Sequence, residues 1–128
     1  MSSRGAVIKN GHITTDEYKT IKEVEGAKVL VGKNGNHGLP DYSHTPNRKY
    51  IKENKDGSFR ELRDFDKDRN LILEIGYHGE INLTGNRHVP VLHYHFFDKD
   101  LRHLKAQRLM SNSEIYKKYK RILERYGL

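Results

Sequence analysis

The sequence predicts an α+β domain: a central antiparallel β-meander of about four strands with a C-terminal amphipathic helix packed on one face. Three observations predict it. Leu71, Leu73, Ile75 and Tyr77 alternate onto one side of a strand. Asp56-Gly57 sits between two strand-like runs, the chemistry of a tight hairpin turn. Ile115, Tyr119, Ile122 and Tyr126 recur at steps of three or four, the stripe of a surface helix.

In chain order, residues 1–46 read as an N-terminal arm with a short helix and a loop, and 47–128 as the core domain. Ala6-Val7-Ile8 and Ala27 to Val31 are short strand-like runs. Thr15-Asp16-Glu17-Tyr18 reads as a helix start, a hydroxyl cap followed by acids near the positive end of the dipole. That helix would end near Gly26. Gly32 to Pro46 holds three glycines and two prolines and reads as a loop. Arg48 to Glu53 and Ser58 to Phe65 flank the Asp-Gly turn as strands, and Asp66 to Asn70 is a second polar turn. His78 to Arg87 is a connecting loop, and His88 to Phe97 is the last strand. Pro90 puts the start of that strand at an edge or an irregular position, because proline cannot donate to a ladder. Ser111 or Ser113 caps the final helix, and Gly127 fits its stop.

Composition bounds the function. The 128 residues fit one domain with a lean core, since only 34% are apolar and 32% are charged. A formal charge of +7 attracts polyanions, so nucleic acid is the first partner to consider and an acidic protein surface the second. There is no cysteine, which excludes disulfides, thiolate metal sites and a thiol nucleophile. No apolar run follows Met1-Ser2-Ser3, and no stretch is long enough to span a membrane. The expected location is therefore the cytoplasm.

The chemistry-bearing residues centre on His88 to Phe97. Side chains on a strand repeat every two residues. His93 and His95 therefore leave the same face, roughly 6.5–7 Å apart along the strand. Leu92, Tyr94 and Phe96 take the other face, the natural core side. Two imidazoles suit ribonuclease chemistry: one neutral ring takes the 2′-hydroxyl proton, and a protonated one supplies the leaving oxygen. Arg87, Arg60 and Arg63 are the cations at hand to stabilise the phosphorane. Two other readings stay open. The pair, with His78, His88 or His103, offers a three-nitrogen set for zinc. Alternatively, both rings are structural. His12, His37 and His44 lie in polar segments and read as solvated. Gly32 to Gly38 lacks the Gly-Lys-Ser/Thr ending of a nucleotide loop. Lys117, Lys118 and Arg121 lie off the apolar stripe of the final helix and form its basic face.

Four runs carry a resemblance: Tyr50-Ile51-Lys52, then Asp56 to Arg63, then Leu73 to Glu80, then Val91-Leu92-His93-Tyr94-His95. Between Asn47 and about His103 their order resembles a small module family of bacteriophages and mobile elements of Gram-positive bacteria. Such modules are similar to tails of phage minor head proteins and of polymorphic toxins. Toxin modules of this size are often ribonucleases of the barnase, EndoU or colicin-like kind. The resemblance implies His93 and His95 as the acid–base pair, with Arg63 or Arg87 as the charge stabiliser. The N-terminal arm and the C-terminal helix depart from that pattern. The expected function is thus metal-independent RNA binding and cleavage in the style of a small ribonuclease toxin, with no cofactor. Arg60, Lys117, Lys118 and Arg121 would bind nucleic acid, RNA before DNA. The alternative is a non-catalytic phage module that binds nucleic acid or a virion protein.

Overall fold

The computed structural model describes residues 18–32, 38–43 and 45–128. Seven strands form one sheet: β1 (Tyr18–Val24), β2 (Ala27–Gly32), β3 (Lys49–Glu53), β4 (Phe59–Phe65), β5 (Leu71–Gly79), β6 (Pro90–Phe96) and β7 (Gln107–Arg108). They lie side by side in chain order. Neighbours are antiparallel except β2 and β3, which run parallel. Two helices, α1 (Ile81–Thr84) and α2 (Glu114–Glu124), complete the described elements.

This overturns the expected four-stranded antiparallel meander. The sheet is wider, and it is mixed. The helix expected to end near Gly26 is β1 instead; its expected start at Thr15 to Glu17 lies outside the described residues. Glu25 and Gly26 both have positive φ, 49° and 84°. That is the two-residue hairpin turn whose twist matches the flanking strands. Gly26 therefore turns a hairpin where a helix stop was expected. Two further strand expectations change. His78 and Gly79 belong to β5 rather than to a loop, and β6 is followed by the two-residue β7. The boundary drawn at residue 46 falls between β2 and β3 of this one sheet. Ala6 to Ile8, His12 and most of Gly32 to Gly38 lie outside the described residues, as does His44.

The sheet has two differently made faces. Ile51, Leu62 and Ile75 are fully buried on one of them, with Tyr119, Ile122 and Leu123 of α2 in the same cluster. Each fully buried aliphatic side chain there contributes roughly 1.5–3 kcal/mol, so this face supplies most of the stability. The Tyr119 hydroxyl donates to the buried Asp64 carboxylate. Burial and that acceptor both push the phenol well above its ordinary range. On the opposite face Tyr18, Leu30, Tyr50, Phe65 and Leu71 gather around Leu39 as an apolar patch. Beside that patch, two cross-strand rows are polar. Arg63, Glu74 and His95 form one, and Glu61, Gly76, His93 and Arg108 the other.

Candidate metal centre

His93 and His95 share a face of β6, as their spacing requires, but it is the more deeply buried one. His93 has no exposed surface and His95 is 8% exposed. Leu92 and Tyr94, expected to be the core side, are half-buried against the α2 cluster, and Phe96 is 43% exposed. The histidine face is covered because the chain after β6 folds back over it. Leu104 donates to the Phe96 carbonyl, 2.7 Å. The His103 ring then stacks edge-on against His95, with centroids 4.9 Å apart. His78 from β5 sits on the other side of His93, at 4.7 Å. Four imidazoles thus run in a row, His78, His93, His95 and His103. His88 is exposed in the turn before β6.

The hydrogen bonds of these rings fix their tautomers. His93 Nδ1 lies 2.7 Å from the Val91 carbonyl, and His95 Nδ1 lies 2.9 Å from the Leu104 carbonyl. A carbonyl only accepts, so each Nδ1 carries the hydrogen and donates. In the neutral ring, Nε2 then presents a bare lone pair. His93 Nε2 is buried and has no hydrogen-bond partner among the described residues. Burial pulls the His93 pKa below its ordinary 6.5, with the neighbouring His78 and His95 adding to it and the Val91 bond and Glu80 opposing it. The ring is therefore neutral at physiological pH. Glu80 closes the group. Its carboxylate and one ring nitrogen each of His93 and His95 all lie within 4.8 Å of one another.

Local structure explains why Glu80 reaches this spot. β5 ends at Gly79 and turns directly into α1, with Glu80 as the N-cap accepting from the Asn82 amide, 3.2 Å. Gly79 permits the turn: a Cβ there would stand 1.6 Å from the Arg87 carbonyl oxygen. Gly76, opposite His93, makes room for a ring. A Cβ on it would stand 2.7 Å from His78 Nε2. Around the same rows, Glu61 is half-buried, and its carboxyl is raised above the usual range first by burial and then by the charge of Glu74.

The remaining expected site residues go elsewhere. Arg63 donates to Glu74 and Asp41, both at 2.7 Å, and to the Leu39 and Pro40 carbonyls. It fastens the 38–43 segment to the sheet. Arg87 is exposed in the turn before β6, and Arg60 is exposed on β4. Lys117, Lys118 and Arg121 line a cleft of about 490 Å³ with Lys49, Glu25 and Asn47. That cleft lies on the α2 face, opposite the histidines. The structure therefore does not unite the expected basic residues with the expected histidine pair. No protein-family model, curated protein or solved structure matches this chain.

Two histidines and a carboxylate are a ligand set for zinc and related dications. Imidazoles that give Nδ1–H to backbone carbonyls are what metal-ligating histidines typically show, because the outer bond fixes ring and tautomer. Ligands around zinc at about 2.0–2.2 Å sit within roughly 3.5 Å of one another. The three donor atoms therefore need to draw together by about 1 Å to close on an ion. A ring without solvent surface is a poor proton-transfer partner for a bound substrate, and a good ligand.

Proposed function

We propose that this domain is a metal-dependent hydrolase in which Glu80, His93 and His95 hold one divalent ion of the zinc class. The observation that carries the reading is the buried, unpartnered Nε2 of His93. Leaving such an acceptor unmade costs about 1–3 kcal/mol, and a bound cation offsets that cost. Three protein ligands leave one position for water, which such an ion makes acidic enough to attack at neutral pH. The chain's own groups orient and screen. Val91 and Leu104 hold the two rings, α1 aims the carboxylate, and His103 and Leu104 close over His95. The charge of +7 makes RNA the first substrate to test, in keeping with the resemblance to ribonuclease-type modules. Chelator-treated protein given one equivalent of zinc should cleave an RNA oligonucleotide, and the His93→Ala, His95→Ala double variant should not. Equal cleavage by both proteins, or cleavage undiminished by chelator, would remove the proposal.

A second reading has its own support. Lys49 from β3 joins Lys117, Lys118 and Arg121 around the α2 cleft, a concentration of positive charge that suits a nucleic-acid-binding module. Neutralising the three α2 residues should weaken RNA binding and flatten its dependence on salt. The same loss caused by the histidine variant instead would count against it.

A further inference from the structure

The rim of the candidate metal centre carries one more group, Arg108, which belongs to no sequence motif. Arg108 stands opposite His93 in the β6–β7 ladder. Both side chains therefore leave the same face, with Cβ atoms about 4.5–5.5 Å apart. From there Nη2 donates to the Leu83 carbonyl, 2.9 Å, in α1. This is the short helix whose N-cap is Glu80. The side chain thus bridges from the His93 row to the element that carries the carboxylate ligand.

That bond uses one of the five N–H donors of the guanidinium. A carbonyl fixes its direction without cancelling its charge. Among the described residues no carboxylate pairs with Arg108, whereas Arg63 and Arg102 each pair with two and Arg125 with one. Arg108 is also exposed. A held, exposed and unneutralised planar fork beside a metal centre is an oxyanion receptor.

We propose that Arg108 is the oxyanion-holding residue of this centre, and that the substrate is a phosphate ester. This rests on Glu80, His93 and His95 holding a metal ion. An arginine fork pairs with two oxygens of one anion, which a phosphate group presents. A phosphate ester has non-bridging oxygens for both the ion and the fork. The positive net charge of the chain favours such an anion at long range.

Cobalt(II), whose visible spectrum reports its ligands, and inorganic phosphate are the probes. Phosphate should perturb the spectrum of the cobalt-loaded protein. Arg108→Ala should bind phosphate at least ~10-fold more weakly, the scale of one lost charge-assisted contact, while cobalt affinity stays within about twofold. Arg108→Lys should fall between the two, since it keeps the charge and loses the fork. Equal phosphate affinity in parent and Arg108→Ala would overturn the proposal. Joint loss of cobalt and phosphate in Arg108→Ala would also overturn it, showing a latch on α1 and no receptor. A parent chain that binds no cobalt would instead sink the metal reading beneath it.

Discussion

At the scale of single residues, His93 decides the argument. A buried acceptor with no partner is a cost that a purely structural histidine would avoid. His93→Phe keeps a ring of similar bulk and removes both the unpaired acceptor and the Nδ1–H bond to the Val91 carbonyl, two changes of opposite sign. The metal-free variant should therefore stay within about 1 kcal/mol of the parent in urea unfolding, while its stabilisation by zinc disappears. A loss well above that figure would mark the ring as structural. The lowered pKa of His93 has a sign that can be checked. Above pH 6.5 neither state of the protein protonates this ring. As pH falls below 6.5, the unfolded chain takes a proton that the native ring refuses. Metal-free protein should thus lose stability from pH 6.5 downward until the native ring also titrates, and His93→Phe should lack this component of the slope. Two glycines make a paired prediction. Gly79→Ala drives a Cβ into the Arg87 backbone and should cost more than about 2 kcal/mol in chemical denaturation. Gly76→Ala meets side-chain atoms instead, His78 Nε2 at 2.7 Å and the buried His93 ring at 3.1 Å. It should fold with a smaller loss, about 1 kcal/mol. Equal costs would mean that the two close approaches are misread.

At the scale of elements, the strands that local chemistry dictates were legible. Alternation at Leu71 to Tyr77 and the Asp56-Gly57 turn gave β3, β4 and β5 close to their observed bounds. Ser113 caps α2 as one of the two serines expected, accepting from the Tyr116 amide at 3.2 Å. Ser113→Ala should cost about 1 kcal/mol in thermal or chemical unfolding, and no change would remove the cap from the account. β1 was misread because acids before Tyr18 and a glycine after Val24 also punctuate helices. The decisive fact, positive φ at both Glu25 and Gly26, depends on a pairing with β2 that lies outside a local window. β7 was invisible because two residues carry no periodicity, and its ladder with β6 is wholly tertiary. The site divides the same way. The common face of His93 and His95 follows from a period of two. The burial of that face, the aim of Glu80 and the reach of Arg108 follow from α1 and residues 97–104 folding back, which no spacing in the sequence encodes.

At the scale of the whole molecule, the sheet separates two tasks. Its α2 face concentrates apolar burial and so carries the stability. The other face is thereby free to hold a row of imidazoles and half-buried carboxylates. Positive charge is spread over both faces, which suits long-range attraction of a polyanion to either. Among the described residues no helix is long and apolar enough to cross a membrane. If the centre binds a dication in the native state alone, the ion must raise the stability of the entire fold. At a free zinc concentration about 100-fold above Kd the gain is about 2.7 kcal/mol. For a chain of this size that corresponds to a Tm increase on the order of 10 °C. The most direct test of the central claim is calorimetric titration of chelator-treated protein with zinc at neutral pH. One zinc should bind per chain with release of little proton from His93, and that binding should be lost in both His93→Phe and Glu80→Gln with their folds intact by circular dichroism. Absence of a stoichiometric zinc site in the parent, or a site that survives both substitutions, would contradict it.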